Sequence, residues 1–181
     1  MKRACALALS LVLMPAMAMA DRADDLKKEA MAWVDSHAGQ LERAAASIHG
    51  FAELGLEEYK SSKLLADMLE KGGFRVERGV ADMPTAFVGT WGSGKPVIGI
   101  LAEFDALPGL SQKAANPSQI TEIEGGPGHG CGHNLFGAGS VGAALAMKAA
   151  MEKNKIPGTV KLFGTPAEEI TIGKGYMIKA G

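Results

Sequence analysis

Apolar residues at Leu26, Ala30, Trp33, Val34, Leu41, Ala44, Ala45 and Ile48 recur near a 3.6-residue period. That spacing predicts a helix from 24 to about 49, stopped by Gly50. Leu64, Leu65, Met68 and Leu69 give a second helix one apolar face, from about Glu57 to Lys71, and Gly72-Gly73 ends it. The period then changes. Phe74 to Val80 alternates as a strand, and Ala86 to Trp91 reads as another, with Gly92-Ser93-Gly94 turning the chain back. Val97 to Ala102 is almost wholly apolar, as expected of a strand buried on both faces, and Thr159 to Gly164 reads the same way. Between these two lies a helix from about Leu135 to Lys153, closed by Pro157-Gly158. Strand, loop, helix, strand is a crossover unit, so part of the sheet is parallel. The fold class is therefore α/β: a mixed, partly parallel sheet flanked by helices.

The chain has 181 residues, 47% of them hydrophobic, and a formal net charge of −1. One ordinary domain with its own core fits that length, and no basic excess points to nucleic acid. Residues 1–20 read as a signal peptide. Lys2 and Arg3 open it, an apolar run from Ala4 to Met14 follows with Ser10 its one polar residue, Pro15 breaks the run, and Ala18-Met19-Ala20 forms an A-x-A cleavage site. The run is short and alanine-rich for a membrane span. Residues 21–181 then form the mature part, exported and periplasmic, with no membrane attachment after cleavage. Cys5 comes too early to be a lipid anchor. Its removal leaves Cys131 as a lone thiol with no disulfide partner, which a bound metal would explain.

The chemistry centres on Gly125-Gly126-Pro127-Gly128-His129-Gly130-Cys131-Gly132-His133-Asn134. Cys131 and His133 are two apart, so on an extended or tightly turned backbone both can face one point. A thiolate and an imidazole converging there suit a borderline-soft divalent ion. His37 and His49 lie on or beside the first helix and read as packing or surface residues. In open α/β sheets ligands gather at the carboxyl ends of the strands. Glu103-Phe104-Asp105 follows one strand there, and Glu168-Glu169 follows another, after Thr165-Pro166-Ala167. Of two adjacent carboxylates, one can ligate a metal while the other holds a water beside it.

Gly137-Ala138-Gly139-Ser140-Val141-Gly142 matches the G-x-G-x-x-G dinucleotide fingerprint, so a dinucleotide-dependent oxidoreductase is the rival reading. The fingerprint works between a buried strand and a helix, and the residues before it here cannot form that strand. Close packing of the crossover helix against the sheet accounts for these glycines instead.

Leu101 to Pro108, His129 to Asn134 and Thr165 to Glu169, in that order, resemble the metallopeptidase and aminoacylase family of hippurate hydrolases, auxin-conjugate hydrolases and glutamate carboxypeptidases. Ala52-Glu53-Leu54-Gly55-Leu56-Glu57-Glu58 resembles the same family's early segment. The resemblance implies a zinc-peptidase-like catalytic domain holding two divalent metals, zinc or manganese. It makes Cys131, His133 and Glu169 ligands, Glu168 the general base, and Asp105 the support of a ligand. Glu103 stands where more distant relatives carry a ligand histidine. Asn134, where many relatives have Asp, places the chain nearer the branch acting on p-aminobenzoyl-glutamate, an aryl amide. The implied substrate is a small amide, an N-acyl or aryl amino acid, and the implied assembly a homo- or hetero-dimer.

The family pattern also places a histidine shortly beyond position 181, another near the far end of a longer chain, and an inserted lid and dimerisation domain. Residues 21–181 accordingly correspond to the N-terminal portion of the catalytic domain, an incomplete fold, weakly active or inactive alone. A non-catalytic metal- or ligand-binding fragment is the alternative reading.

Overall fold

The structure, a computed structural model, describes residues 4–181, with side chains from 22 onward. Lys2 and Arg3 of the expected leader lie outside the described residues. Helix α1 (Ala4–Phe51) is followed by α2 (Tyr59–Lys71), β1 (Arg75–Arg78), a 3-10 turn (Val80–Asp82), β2 (Phe87–Ser93), β3 (Val97–Ala102), α3 (His133–Asn154), β4 (Gly158–Gly164) and α4 (Gly173–Ala180). Helix α1 thus reaches back beyond residue 24, where the sequence reading began it, into the segment read as the signal peptide. Among the described residues no helix is long and apolar enough to cross a membrane.

The four strands form one sheet in the order β1-β2-β4-β3. β1 pairs antiparallel with β2, and β2 with β4, while β3 and β4 run parallel across the α3 crossover. The predicted class and the parallel unit are both present. β3 departs from expectation. It lies at the sheet edge, with Val97 54%, Ile98 42% and Leu101 45% exposed, not buried on both faces. A run of six apolar residues records that a strand is apolar, whereas burial depends on a neighbour beyond β3 that these residues do not supply. β4, flanked by β2 and β3, is the buried strand. The turn after β2 also falls later than expected, because β2 keeps its register through Gly92 and Ser93 against Thr159 and Gly158.

One core sits between the sheet and the helices. α1 contributes Ala44, Ala45 and Ile48, α2 Leu65, Ala66, Met68 and Leu69, and α3 Ala138, Val141, Ala144 and Leu145, against Phe87, Val160 and Leu162 of the sheet. Phe104, just past β3, stacks on Phe87 at 5.9 Å and anchors the start of the long loop 103–132. The fingerprint glycines are interior to α3. A Cβ on Gly137 would lie 2.7 Å from the Glu103 carbonyl oxygen, and one on Gly142 would lie 2.8 Å from Leu41 of α1. Their job is close packing, against the end of β3 and against α1.

Candidate metal centre

Four backbone features bring the polar residues to the carboxyl end of β3 and β4. The Ala106 amide donates to the Glu53 carbonyl at 2.8 Å, and Leu107 and Gly128 exchange amide-to-carbonyl bonds of 3.0 and 2.9 Å, which fold the long loop back on itself. The Thr165 amide donates to Ala102 at 2.8 Å and holds the ends of β3 and β4 side by side. Gly132 takes φ +87 at the start of α3, a left-handed turn that glycine enters without a Cβ penalty. His133 is therefore the first helical residue and points into the cluster from a fixed frame.

His133, nearly fully buried, is surrounded by carboxylates. Its Nδ1 is 2.9 Å from Asp105 Oδ1 and 3.6 Å from Glu169 Oε1; its Nε2 is 3.2 Å from Glu103 Oε2 and 3.7 Å from Glu168 Oε2. The 2.9 Å contact assigns the tautomer: Nδ1–H donates to Asp105, leaving Nε2 with its lone pair. Asp105 is itself buried, and its second oxygen accepts the Glu169 amide at 2.9 Å. One carboxylate thus orients both the imidazole and the backbone of the glutamate pair.

Ligand atoms of Cys131, His133 and Glu169 lie within 4.8 Å of one another, and so do those of Glu103, His133 and Glu168. The residues singled out from sequence are brought together, and Glu103 joins them. His129 is not among them: its Nε2–H donates to the Ile48 carbonyl at 3.0 Å, tying the loop to α1, and burial holds its pKa below the ordinary value. His37 stacks on Trp33 at 3.9 Å, a packing role as expected.

Two observations test whether a divalent cation fits here. Glu169 Oε1 is buried with no hydrogen-bond partner, a costly state that a cation would relieve. The Glu169 carboxyl is pushed above its usual range by burial first, then by Asp105 and Glu168. The Cys131 thiol, though open to solvent, is raised by partial desolvation and by Glu169, Glu168, Glu103 and Asp105. Both shifts come first from desolvation and then from the carboxylates gathered around one soft and several hard donors. The donor set fits a divalent metal.

Sequence reasoning missed two residues. Glu58, fully buried, accepts the Ala167 amide at 2.8 Å and the Thr85 hydroxyl at 2.8 Å. Ala167 has φ +58, and a Cβ on Gly55 would lie 3.0 Å from its Cα. The Leu54–Glu58 segment therefore lies under the residue that precedes the glutamate pair. Lys174, on the first turn of α4, is 2.5 Å from Glu103 Oε1 and 3.9 Å from Glu168 Oε1. Glu58 carried a hint, since it closes the family-like early segment; Lys174 carried none.

Residues 99–181 match the profile of peptidase family M20/M25/M40. The chain is 47% identical to a subunit of the p-aminobenzoyl-glutamate hydrolase of Escherichia coli over 131 residues, 71% of this chain and 27% of that protein. The chain belongs to the M20 peptidase family. It is also 32% identical to mouse Xaa-Arg dipeptidase over 180 residues, 92% of this chain and 38% of that one. A Bacillus subtilis M20 structure, described as a dinuclear metal binding peptidase, superposes with a TM-score of 0.66 at 26% identity, over 81% of this chain and 40% of that one. Its fold agrees with the mixed, helix-flanked sheet described above. The chain spans roughly a quarter to two fifths of the length of these M20 relatives. It resembles one part of such metal-binding peptidases.

Proposed function

We propose that the whole protein is a metal-dependent amidohydrolase that cleaves N-acyl or aryl amino acids, with p-aminobenzoyl-glutamate as its model substrate. The observation that carries this reading is the convergence of Cys131, His133 and Glu169 beside a buried Glu169 oxygen that lacks a partner. The 47% identity to a p-aminobenzoyl-glutamate hydrolase subunit supports the substrate class.

Cys131, His133 through Nε2, and Glu169 would hold one zinc or manganese ion, and the Glu103 carboxylate would border a second. When bound, such ions polarise an amide carbonyl and make bound water acidic near neutral pH. Asp105 keeps the His133 proton on Nδ1, so Nε2 faces the cluster. Glu168, a third exposed, is the general base: its carboxylate accepts a proton from water and returns it to the leaving amine. Both glutamates follow the left-handed Ala167 and face the same ring, Glu168 at Nε2 and Glu169 at Nδ1 of His133.

The Escherichia coli relative is one subunit of its enzyme, so assembly with a second chain, like or unlike, belongs to the same proposal. So does export, with residues 1–20 as the signal peptide and residues 21–181 as the N-terminal portion of the catalytic domain. Residues 21–181 offer few protein ligands per ion and should turn over little by themselves. The test supplies the whole protein, with zinc or manganese, with p-aminobenzoyl-glutamate and follows release of the aryl amine. Turnover abolished by chelation and restored by metal is expected. Absence of hydrolysis of any N-acyl or aryl amino acid by metal-loaded protein would overturn the proposal.

A further inference from the structure

Two carboxyl groups among the described residues are almost wholly buried, those of Asp105 and Glu58, and only Asp105 touches the metal centre. Glu58 is the N-cap of α2, yet its side chain makes no bond to that helix. The Glu53 carboxylate serves the helix instead, accepting the Lys60 amide at 3.0 Å and the Ser61 amide at 2.9 Å. The Glu58 carboxyl is left free to reach the end of β4. One oxygen accepts the Ala167 amide at 2.8 Å, and the other is held by the Thr85 hydroxyl at 2.8 Å.

Past β4, alternate amides are held by three different elements. Thr165 donates to Ala102 of β3 at 2.8 Å, Ala167 to Glu58 at 2.8 Å, and Glu169 to Asp105 at 2.9 Å. Glu168 lies between the last two. Ala167 has φ +58, a conformation that a residue with a Cβ leaves unless its surroundings hold it. Without the Glu58 oxygen, Ala167 can turn back to right-handed or extended backbone. That turn swings Glu168 away from the His133 ring, where its Oε2 now lies 3.7 Å from Nε2. Glu169 is spared, because its own amide stays with Asp105. Resting on the assignment of Glu168 as general base, we propose that Glu58 is a positioning residue for that base. By clamping the Ala167 amide it sets where the Glu168 carboxylate stands, and it does so without contributing to metal binding.

The whole zinc-loaded protein, assayed with p-aminobenzoyl-glutamate, tests this. Thr85→Val removes the other bond to Glu58 and leaves the Ala167 bond, so it is the control for lost stability alone. Glu58→Ala should lose about 10²-fold in kcat with KM little changed, and equilibrium dialysis should find its zinc stoichiometry unaltered. Glu58→Gln, whose carbonyl oxygen accepts from Ala167, should return kcat close to wild type. Deuterium exchange in the 165–172 segment should be faster in Glu58→Ala than in Thr85→Val. Where Glu58→Ala folds poorly, Glu58→Met fills the space without a comparable acceptor and carries the same expectations. An acceptor-free variant with the kcat or the exchange of Thr85→Val overturns the proposal and leaves the hydrolase reading intact. So does a Gln variant as slow as Ala, or zinc lost in step with turnover. Wild type that binds zinc but releases no aryl amine overturns the role of Glu168 as well.

Discussion

Glu58 provides the sharpest physical prediction. Its carboxyl is fully buried and accepts from the Ala167 amide and the Thr85 hydroxyl, each at 2.8 Å. Burial raises its pKa above 4.5, with the bonds from its own amide, Ala167 and Thr85 offsetting part of the rise. The folded state then holds a proton that the unfolded state has lost, in the window from about 4.5 up to the raised value. Stability contributed by the neutral carboxyl is complete below that window and is lost as pH rises through the folded-state pKa. Glu58→Gln keeps both contacts: its carbonyl oxygen accepts from Ala167, and its amide donates to the Thr85 oxygen. The variant should unfold in urea with a midpoint that no longer falls across this window. Glu58→Ala strands the Ala167 amide, while the Thr85 hydroxyl can rotate and recover part of its loss. That costs ~1–3 kcal/mol, or a drop of roughly 2–12 °C in Tm for a chain of this size. Midpoints for wild type and Glu58→Gln that run parallel between pH 4 and 8, or an Ala variant as stable as Gln, would refute the reasoning.

Other substitutions separate the remaining roles. In a full-length context, Glu168→Ala should keep its metal and lose about 10²–10⁴-fold in turnover, whereas Glu169→Ala should lose the metal as well; equal retention in both removes the base and ligand assignment. Asp105→Asn can serve His133 or the Glu169 amide but not both, so metal affinity should fall about 10–100-fold, read by competition with a chromophoric chelator; unchanged affinity would detach Asp105 from the site. Mass spectrometry of the exported protein should give Asp21 as the first residue, and an intact Met1 would exclude cleavage after Ala20.

Much of this was legible in the sequence because it is local. Two apolar runs around an alanine-rich helix could only be a crossover unit, and β3, α3 and β4 form it. Cys131 and His133 are two apart, and Glu168 and Glu169 adjacent, so rigid turns at the ends of α3 and β4 suffice to aim them. The losses are all long-range. The edge position of β3 depends on sheet order, which its own six residues do not encode. Glu58 meets Ala167 across 109 positions of sequence, and a buried glutamate looks like any other until its partners are known. Lys174 lies in an 8-residue helix, Gly173–Ala180, whose glycines gave no helical pattern. Its partner Glu103 was in view, but the lysine that neutralises it was not.

The central claim is that Cys131, His133 and Glu169 hold a divalent metal. Equilibrium dialysis of residues 21–181 against zinc, wild type beside Cys131→Ser, tests it most directly. The hydroxyl lacks the negative charge and softness of a thiolate, so the equivalent that wild type is expected to bind tightly should vanish in the variant. The same tight stoichiometry in both proteins would remove Cys131 from the centre and contradict the account.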